Sequence, residues 1–138
     1  MRIFLDANIL VSVLNKEYPL FTFTSRIVSL AGNKNFTVFT SPVSLAIAFY
    51  FAEKKSGAKL AKKKIELLAG ILSVSQTGEK EVLQSLENKK VLDFEDGIEY
   101  YSAINSKCSI MITEDIEDFY FSDIEIIKPI DFLNKYLL

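Results

Sequence analysis

Arg2-Ile-Phe-Leu-Asp6-Ala-Asn8-Ile-Leu10 begins as an unbroken apolar run, ends that run on an acid, and then places its apolar residues at helical spacing. A strand that is apolar on both faces belongs inside a sheet covered on both faces. Ile9, Leu10, Val13 and Leu14 supply one face of the helix that follows. The stretch therefore reads as a buried strand over 2–5 feeding a helix, with Asp6 and Asn8 at the junction.

The same unit recurs downstream. Phe36-Thr-Val-Phe-Thr40 alternates and predicts a second strand, and Ser41-Pro42 supplies an N-cap and a proline in the first turn of the next helix. That helix is expected to bury Val43, Ile47 and Tyr50, with Leu45, Ala46 and Phe49 widening the stripe. Pro19 breaks the first helical run, which resumes from Thr24 to Ala31 and stops at Gly32-Asn33. After Gly57, residues Leu60, Ile65, Leu67 and Leu68 predict a helix to Gly70, followed by a third strand over 71–75. Thr77 is the expected N-cap of a helix with Glu79 and Glu81 in its first turn. Asp93 opens another, with Phe94, Ile98, Tyr101 and Cys108 on one face. Ser109-Ile-Met-Ile-Thr113 predicts a fourth strand, again followed by acids, and residues 122–127 a fifth. Pro129 begins a final helix with Ile130, Leu133, Tyr136 and Leu137, the tail from Asp131 to Leu138 closing the core. Short strands alternating with helices predict an α/β fold: a parallel sheet of four to five strands, helices on both faces, one domain over 1–138.

Composition narrows the chemistry. The 138 residues are 49% hydrophobic and 25% charged, enough apolar material for one core. There is no histidine, and Cys108 is the one cysteine. Histidine general bases, Ser-His-Asp and Cys-His catalysis, internal disulfides and zinc clusters are thereby excluded. No apolar run approaches a membrane span, and Asp6 falls where a secretory signal would enter its apolar region. A soluble, cytoplasmic protein is expected. The net charge of −2 conceals a sorted distribution: ten of the eighteen acids lie between residues 93 and 125 with Lys107 the one cation among them. Lys54, Lys55, Lys59, Lys62, Lys63 and Lys64 form a basic strip in mid-chain.

In open α/β sheets ligands bind beyond the carboxyl ends of the strands. Two strands end there in acids, at Asp6 and at Glu114-Asp115, and the helix opened by Asp93 carries Asp96 in its first turn. If the strands are neighbours, Asp6, Asp96 and Asp115 share one rim. Three close carboxylates repel one another, and a divalent cation relieves that repulsion. Oxygen-only ligands favour Mg²⁺ or Mn²⁺, which lower the pKa of a bound water and stabilise a leaving phosphate oxygen. Each acid also has a plainer role open to it. Asp6 and Asp93 can cap helices, Asp96 can support a capping box, and Asp115 with Asp118 can open a short helix through an Asx turn. The lysine strip can bind RNA phosphates or serve as a solvated helix face. Phe49-Tyr50-Phe51 and Phe119-Tyr120-Phe121 can stack bases or fill core and dimer contacts. Cys108 is expected to be buried rather than reactive.

Three segments, Leu5-Asp6-Ala-Asn8-Ile-Leu10, Asp93-Phe-Glu-Asp96-Gly-Ile-Glu99-Tyr-Tyr-Ser-Ala103 and Ile112-Thr113-Glu-Asp115-Ile-Glu-Asp118-Phe119, resemble in order and spacing the signature segments of PIN domains. The resemblance spans nearly the whole chain. It implies a PIN-like three-layer α/β/α fold and a Mg²⁺- or Mn²⁺-dependent endoribonuclease, the VapC-like toxin of a toxin–antitoxin pair. By the same resemblance Asp6, Asp96 and Asp115 are metal ligands and Asp118 a further catalytic acid. Asn8 and Thr113 shape the pocket, an antitoxin is the protein partner, and the assembly is a homodimer. One departure stands out. PIN nucleases usually carry an acid on the helix after the second strand, whereas this chain has Ile47 in that region and no acid before Glu53. Glu99, one turn beyond Asp96, is the candidate to help. The departure also keeps open a PIN-like scaffold that binds RNA or a protein without cutting. A phosphatase using Asp6 as nucleophile would want a second acid where Asn8 stands.

Overall fold

The structure, a computed structural model, describes residues 1–137; Leu138, the last residue of the expected core-closing tail, lies outside them. The elements run β1 (Arg2–Leu5), α1 (Ala7–Leu14), α2 (Leu20–Val28), β2 (Thr37–Thr40), α3 (Pro42–Ser56), α4 (Ala58–Ile71), β3 (Ser73–Val74), α5 (Glu79–Glu87), α6 (Phe94–Asn105), β4 (Ile110–Ile112), β5 (Glu125–Ile127) and α7 (Pro129–Tyr136). Single 3₁₀ turns at Ser29–Gly32 and Ile116–Phe119 follow α2 and precede β5.

Among the described residues the five strands are all parallel and lie in the order β3-β2-β1-β4-β5. The chain winds outward from β1 to β2 and β3, then returns to the other side of β1 for β4 and β5. β1 and β4 are therefore neighbours although more than a hundred residues apart, and the winding reverses between them. Ligands of open α/β sheets sit at such a reversal.

The central strand shows why its sequence is apolar throughout. Ile3 and Leu5 face a core built with α1, α2, α3, α4 and α7, while Phe4 faces a second core with Tyr100, Ala103, Met111 and Phe119. Ile3, Phe4 and Leu5 are each 0% exposed, Arg2 alone in the strand being at the surface, and each of the three is worth about 1.5–3 kcal/mol of burial. The three-layer α/β/α arrangement expected from the pattern is the one observed.

Several local expectations are corrected. In α3 the buried stripe is Ser44, Ala48 and Ala52 rather than Val43, Ile47 and Tyr50. Apolar residues occur all round this helix, and the small residues let it approach α1 and α4 closely. Helix α4 runs past Gly70 to Ile71, so β3 shrinks to Ser73–Val74; an exposed glycine costs a helix only about 1 kcal/mol. Gly78, not Thr77, is the N-cap of α5, because the Thr77 hydroxyl is paired with Ser75 and Ser102. In α6 the buried side is Ile98, Glu99, Tyr100, Ser102 and Ala103; Phe94 is exposed and Cys108, buried as expected, lies beyond the helix. In α7 Phe132 and Leu133 are buried and Ile130 is exposed.

Gly97 sets how closely α5 packs on α6. A Cβ added there would meet Ser85 Cβ and Val91 Cγ1 at 2.8 Å. Gly97→Ala is expected to destabilise the fold by about 1–3 kcal/mol, the usual cost of overpacking. A lower denaturant midpoint with an unchanged slope is the readout, and an unshifted midpoint contradicts the close approach.

Candidate metal centre

Asp6 follows β1 and caps α1, its Oδ1 accepting the Ala7 N–H at 2.8 Å. The register that pairs Leu5 with Ile112 sets Thr113 beside it, and the Thr113 hydroxyl donates to Asp6 Oδ2 at 2.8 Å. Asn8 completes the join. Its Nδ2 donates to Thr113 Oγ1 at 3.1 Å and to Asp115 Oδ2 at 3.2 Å, and its Oδ1 accepts the Glu114 N–H at 3.2 Å. The Asp115 N–H donates to Thr113 Oγ1 at 3.1 Å. The ends of β1 and β4 are thus stitched by polar side chains as well as by the strand ladder.

Asp93 caps α6 by accepting the Asp96 N–H at 3.1 Å, which sets Asp96 on the first turn facing the same rim. The result is a hollow of about 450 Å³ whose walls include Asp6, Asn8, Asp96, Asp115 and Asp118. Glu17, Asp93 and Glu95 add further carboxylates, and no lysine or arginine among the described residues lines it. Glu17 carried no sequence signal, coming from the loop after α1. Asp93 and Glu95 had one, their adjacency to Asp96. The rest of the lining is apolar and includes Val11, Leu20, Ile47 and Phe51.

Two expected pocket residues do not line this hollow. Thr113 is buried beneath it as the donor to Asp6. Glu99 is 1% exposed, its two oxygens taking hydrogen bonds from the hydroxyls of Ser41 and Ser44 at the start of α3. It is a floor residue, and Glu53, exposed near the end of α3, does not reach the hollow either.

The electrostatics follow from this crowding. Burial pushes the Asp6 carboxyl above its ordinary 3.8, helped by the charges of Asp115 and Glu95, against the Thr113 and Ala7 hydrogen bonds. Burial, then the charges of Asp93, Asp118, Asp6 and Glu95, raises Asp96 from 3.8 to about 7. Burial and the charge of Asp6 raise Glu99 from 4.5 to about 8, although its serine partners favour the ionised form. The hollow collects negative charge without a counter-ion from the protein, and its donors are hard oxygens. That donor set fits a hard divalent cation. As the side chains stand, no three acids among the described residues close round one point tightly enough to hold an ion. The fit is one of donor chemistry and shared location.

The lysine strip lies elsewhere. Lys54 and Lys55 end α3, and Lys59, Lys62, Lys63 and Lys64 follow on α4. Lys55 donates to the Asn15 carbonyl, and Lys64 to the Leu14 carbonyl at 2.9 Å. These two ammonium groups hold the C-terminal end of α1, where positive charge also suits the helix dipole. Lys54, Lys59, Lys62 and Lys63 are exposed. Of the aromatic segments, Phe119 is buried in the second core, whereas Tyr50 and Phe51 are exposed.

Comparison with known proteins meets this geometry. Ribonuclease VapC1 of Aquifex aeolicus is 24% identical over 139 residues, covering 98% of this chain and 95% of that protein. Among solved structures, VapBC2 from Rickettsia felis, bound to a DNA fragment from their promoter, superposes with a TM-score of 0.71 at 19% identity, over 93% of this chain and 98% of that one. VapC20 of Mycobacterium tuberculosis, a toxin that cleaves the sarcin-ricin loop, superposes with a TM-score of 0.62 at 15% identity, over 79% of this chain and 86% of that one. No helix among the described residues is long and apolar enough to cross a membrane. The PIN domain profile matches residues 2–117, a span that takes in β1, β4 and the acids at their ends, and the chain belongs to the PIN domain family.

Proposed function

We propose that this chain is a divalent-metal-dependent endoribonuclease, the toxin of a toxin–antitoxin pair, acting in the cytoplasm. The observation that carries the reading is the acidic hollow at the winding reversal, with no cation of its own, in a member of the PIN domain family. The ribonuclease relative and the VapBC structures support it, and the latter also support an antitoxin as protein partner. A homodimer is the assembly that the likeness to VapC-type toxins suggests.

In this reading Asp6, Asp96 and Asp115 hold Mg²⁺ or Mn²⁺. The ion supplies Lewis-acid polarisation, activation of water and neutralisation of the phosphodiester's charge. The chain's own residues prepare the site. Thr113 and the Ala7 N–H orient the Asp6 carboxylate, Asn8 holds Asp115 beside it, and the Asp93 cap fixes the turn that carries Asp96. Asp118, on the rim, is placed to accept a proton or bind an outer water. The exposed lysines of α3 and α4 can contact RNA phosphates away from the acids. Ile47 in the wall, where PIN nucleases usually have an acid, favours the second reading, a scaffold that binds RNA or a partner without cutting.

Incubation of the purified chain with RNA, in Mn²⁺ and in chelator, separates the two. Metal-dependent products are expected, and Asp6→Asn should reduce their rate by more than about 100-fold, beyond the loss an outer partner of a metal site usually causes. The variant should melt no lower than the parent, since a buried, repelled charge has been removed. Equal cleavage by Asp6→Asn refutes the ligand assignment, and the absence of any metal-dependent product at enzyme excess favours the scaffold.

The raised carboxyls also set a pH dependence. Asp6, Asp96 and Glu99 bind protons more tightly folded than unfolded, with Asp96 at about 7 and Glu99 at about 8 against ordinary values of 3.8 and 4.5. The folded state then holds more protons between about pH 4 and pH 8, and by linkage stability from these groups falls as pH rises through that window. Because a metal binds the ionised carboxylates, its stabilisation grows over the same window. In chelator the melting temperature should decline from about pH 5 to pH 8, and the increment produced by Mn²⁺ should increase. An Mn²⁺ increment that is flat with pH contradicts carboxylate ligation.

A further inference from the structure

A second cavity, of about 440 Å³, opens beside Phe39 at the margin of the second core, and it shares no lining residue with the acidic hollow. Its charge is of the opposite kind. The hollow is walled by acids with no cation, whereas the second cavity has two cations, Arg2 and Lys80, and one acid, Glu81. Both oxygens of that acid are already engaged. Glu81 Oε1 accepts the Gly78 N–H at 2.8 Å, and Oε2 accepts Asn105 Nδ2 at 2.6 Å.

The cations are not engaged in the same way. Arg2 Nε donates to the Ser106 carbonyl at 2.9 Å, and its guanidinium carbon stands 4.7 Å from the centroid of the Phe39 ring. A carbonyl on one edge and a ring beneath fix the plane of the guanidinium. The remaining N–H groups then form a pre-organised fork of the kind that takes two oxygens of a phosphate at once. Neither the Nη groups of Arg2 nor Lys80 Nζ has an acceptor among the described residues, where the one ion pair is Lys135 with Glu125. Cover for Phe39 explains the stacked guanidinium. It does not explain a second cation beside the same cavity, nor why Val74 in the lining stays exposed.

We propose that this cavity binds a small phosphate monoester bearing a flat group, of the size of a nucleoside monophosphate. The phosphate lies on Arg2 and Lys80, and the flat group lies against Phe39 and Val74. The inference goes beyond the ribonuclease reading and does not depend on it. A phosphate monoester carries about −1.5 to −2 charge at pH 7, so it repays two cations where a carboxylate repays one. The volume falls in the range of sites that enclose one small ligand. A bare phosphate would leave the apolar lining uncovered, and an uncharged flat molecule would leave the fork unused. Arg2 opens β1 and Asp6 follows it, about 13 Å along the strand, so occupancy of this cavity is separable from metal binding in the hollow.

The test is isothermal titration calorimetry of the full chain in chelator, with adenosine 5′-monophosphate as the probe and adenosine and inorganic phosphate as comparison arms. The monophosphate should bind saturably at one site, and each comparison arm should bind at least about 10-fold more weakly. Arg2→Lys keeps the charge but loses the fork, and should weaken binding by about 10- to 150-fold, the span for a lost charge-assisted hydrogen bond. Lys80→Glu, at an exposed position where folding is not at stake, should weaken it by at least about 5-fold. Asp6→Asn should leave the affinity within about two-fold, which places the probe outside the hollow. Absence of saturable binding at millimolar probe overturns the proposal. So does an affinity unmoved by both Arg2→Lys and Lys80→Glu, or one abolished by Asp6→Asn. Equal binding of inorganic phosphate or of adenosine also overturns it, since one half of the ligand would then go unrecognised.

Discussion

A carboxylate buried at the end of a central strand needs donors, and Asp6 has two in the protein: the Thr113 hydroxyl and the Ala7 N–H. The Thr113 bond depends on β1 lying beside β4, where the Asp6 N–H also donates to the Ile112 carbonyl at 3.1 Å. Helix capping alone accounts for the Ala7 bond. It does not account for an acid placed under cover with its second oxygen turned to a threonine and other carboxylates nearby. Two donors leave the ionised form unfavoured, as the raised pKa shows. The sheet thus holds its most important acid in a state that an added positive charge would relieve.

Glu99 is the second buried acid, and it does different work. Ser41 caps α3 by accepting the Ser44 N–H at 2.9 Å, and the same hydroxyl donates to Glu99. One carboxyl therefore fastens α6 to the corner between β2 and α3. Gly97 lets α5 pack closely from the other side. Asp96, three residues before Glu99, rides on a helix anchored at the floor of the hollow. PIN nucleases usually present an acid from α3; here Ile47 occupies that wall and the acid contacting the start of α3 comes from α6, beneath the surface. The carboxyl that meets α3 thus lies at the floor of the hollow rather than on its wall, and the wall at Ile47 is apolar.

Much of this could be read from residues that act locally. An apolar run ending in Asp6, the Ser41-Pro42 pair and the Asp93 cap each have a short-range physical meaning, and the parallel α/β class followed from the alternation they punctuate. What could not be read depends on three-dimensional company. In α3 apolar residues surround the helix, so hydrophobic spacing did not select a face; close packing against α1 and α4 chose the serine and alanines instead. Thr77 looked like a cap because threonine is a good one, but Ser75 and Ser102, the latter distant in sequence, offered its hydroxyl better partners. Glu17 entered the hollow through a loop with no pattern, and the apolar wall combines residues from three helices that no linear motif connects.

The lysine strip shows how one sequence feature divides between structure and surface. Lys55 and Lys64 bond to the Asn15 and Leu14 carbonyls at the C-terminal end of α1, whose N-terminal end is capped by Asp6. Acid at one end and ammonium at the other both suit the direction of the helix dipole. The same lysines join α3 and α4 to α1 at the side of the hollow lined by Phe51. A uniform solvated face would leave all six ammonium groups equivalent. Instead two are committed to holding α1, while Lys54 lies over Tyr50 with its charge still exposed. Loss of Lys55 or Lys64 therefore acts first on the placement of α1 and through it on Asp6, whereas loss of Lys54 leaves that framework intact.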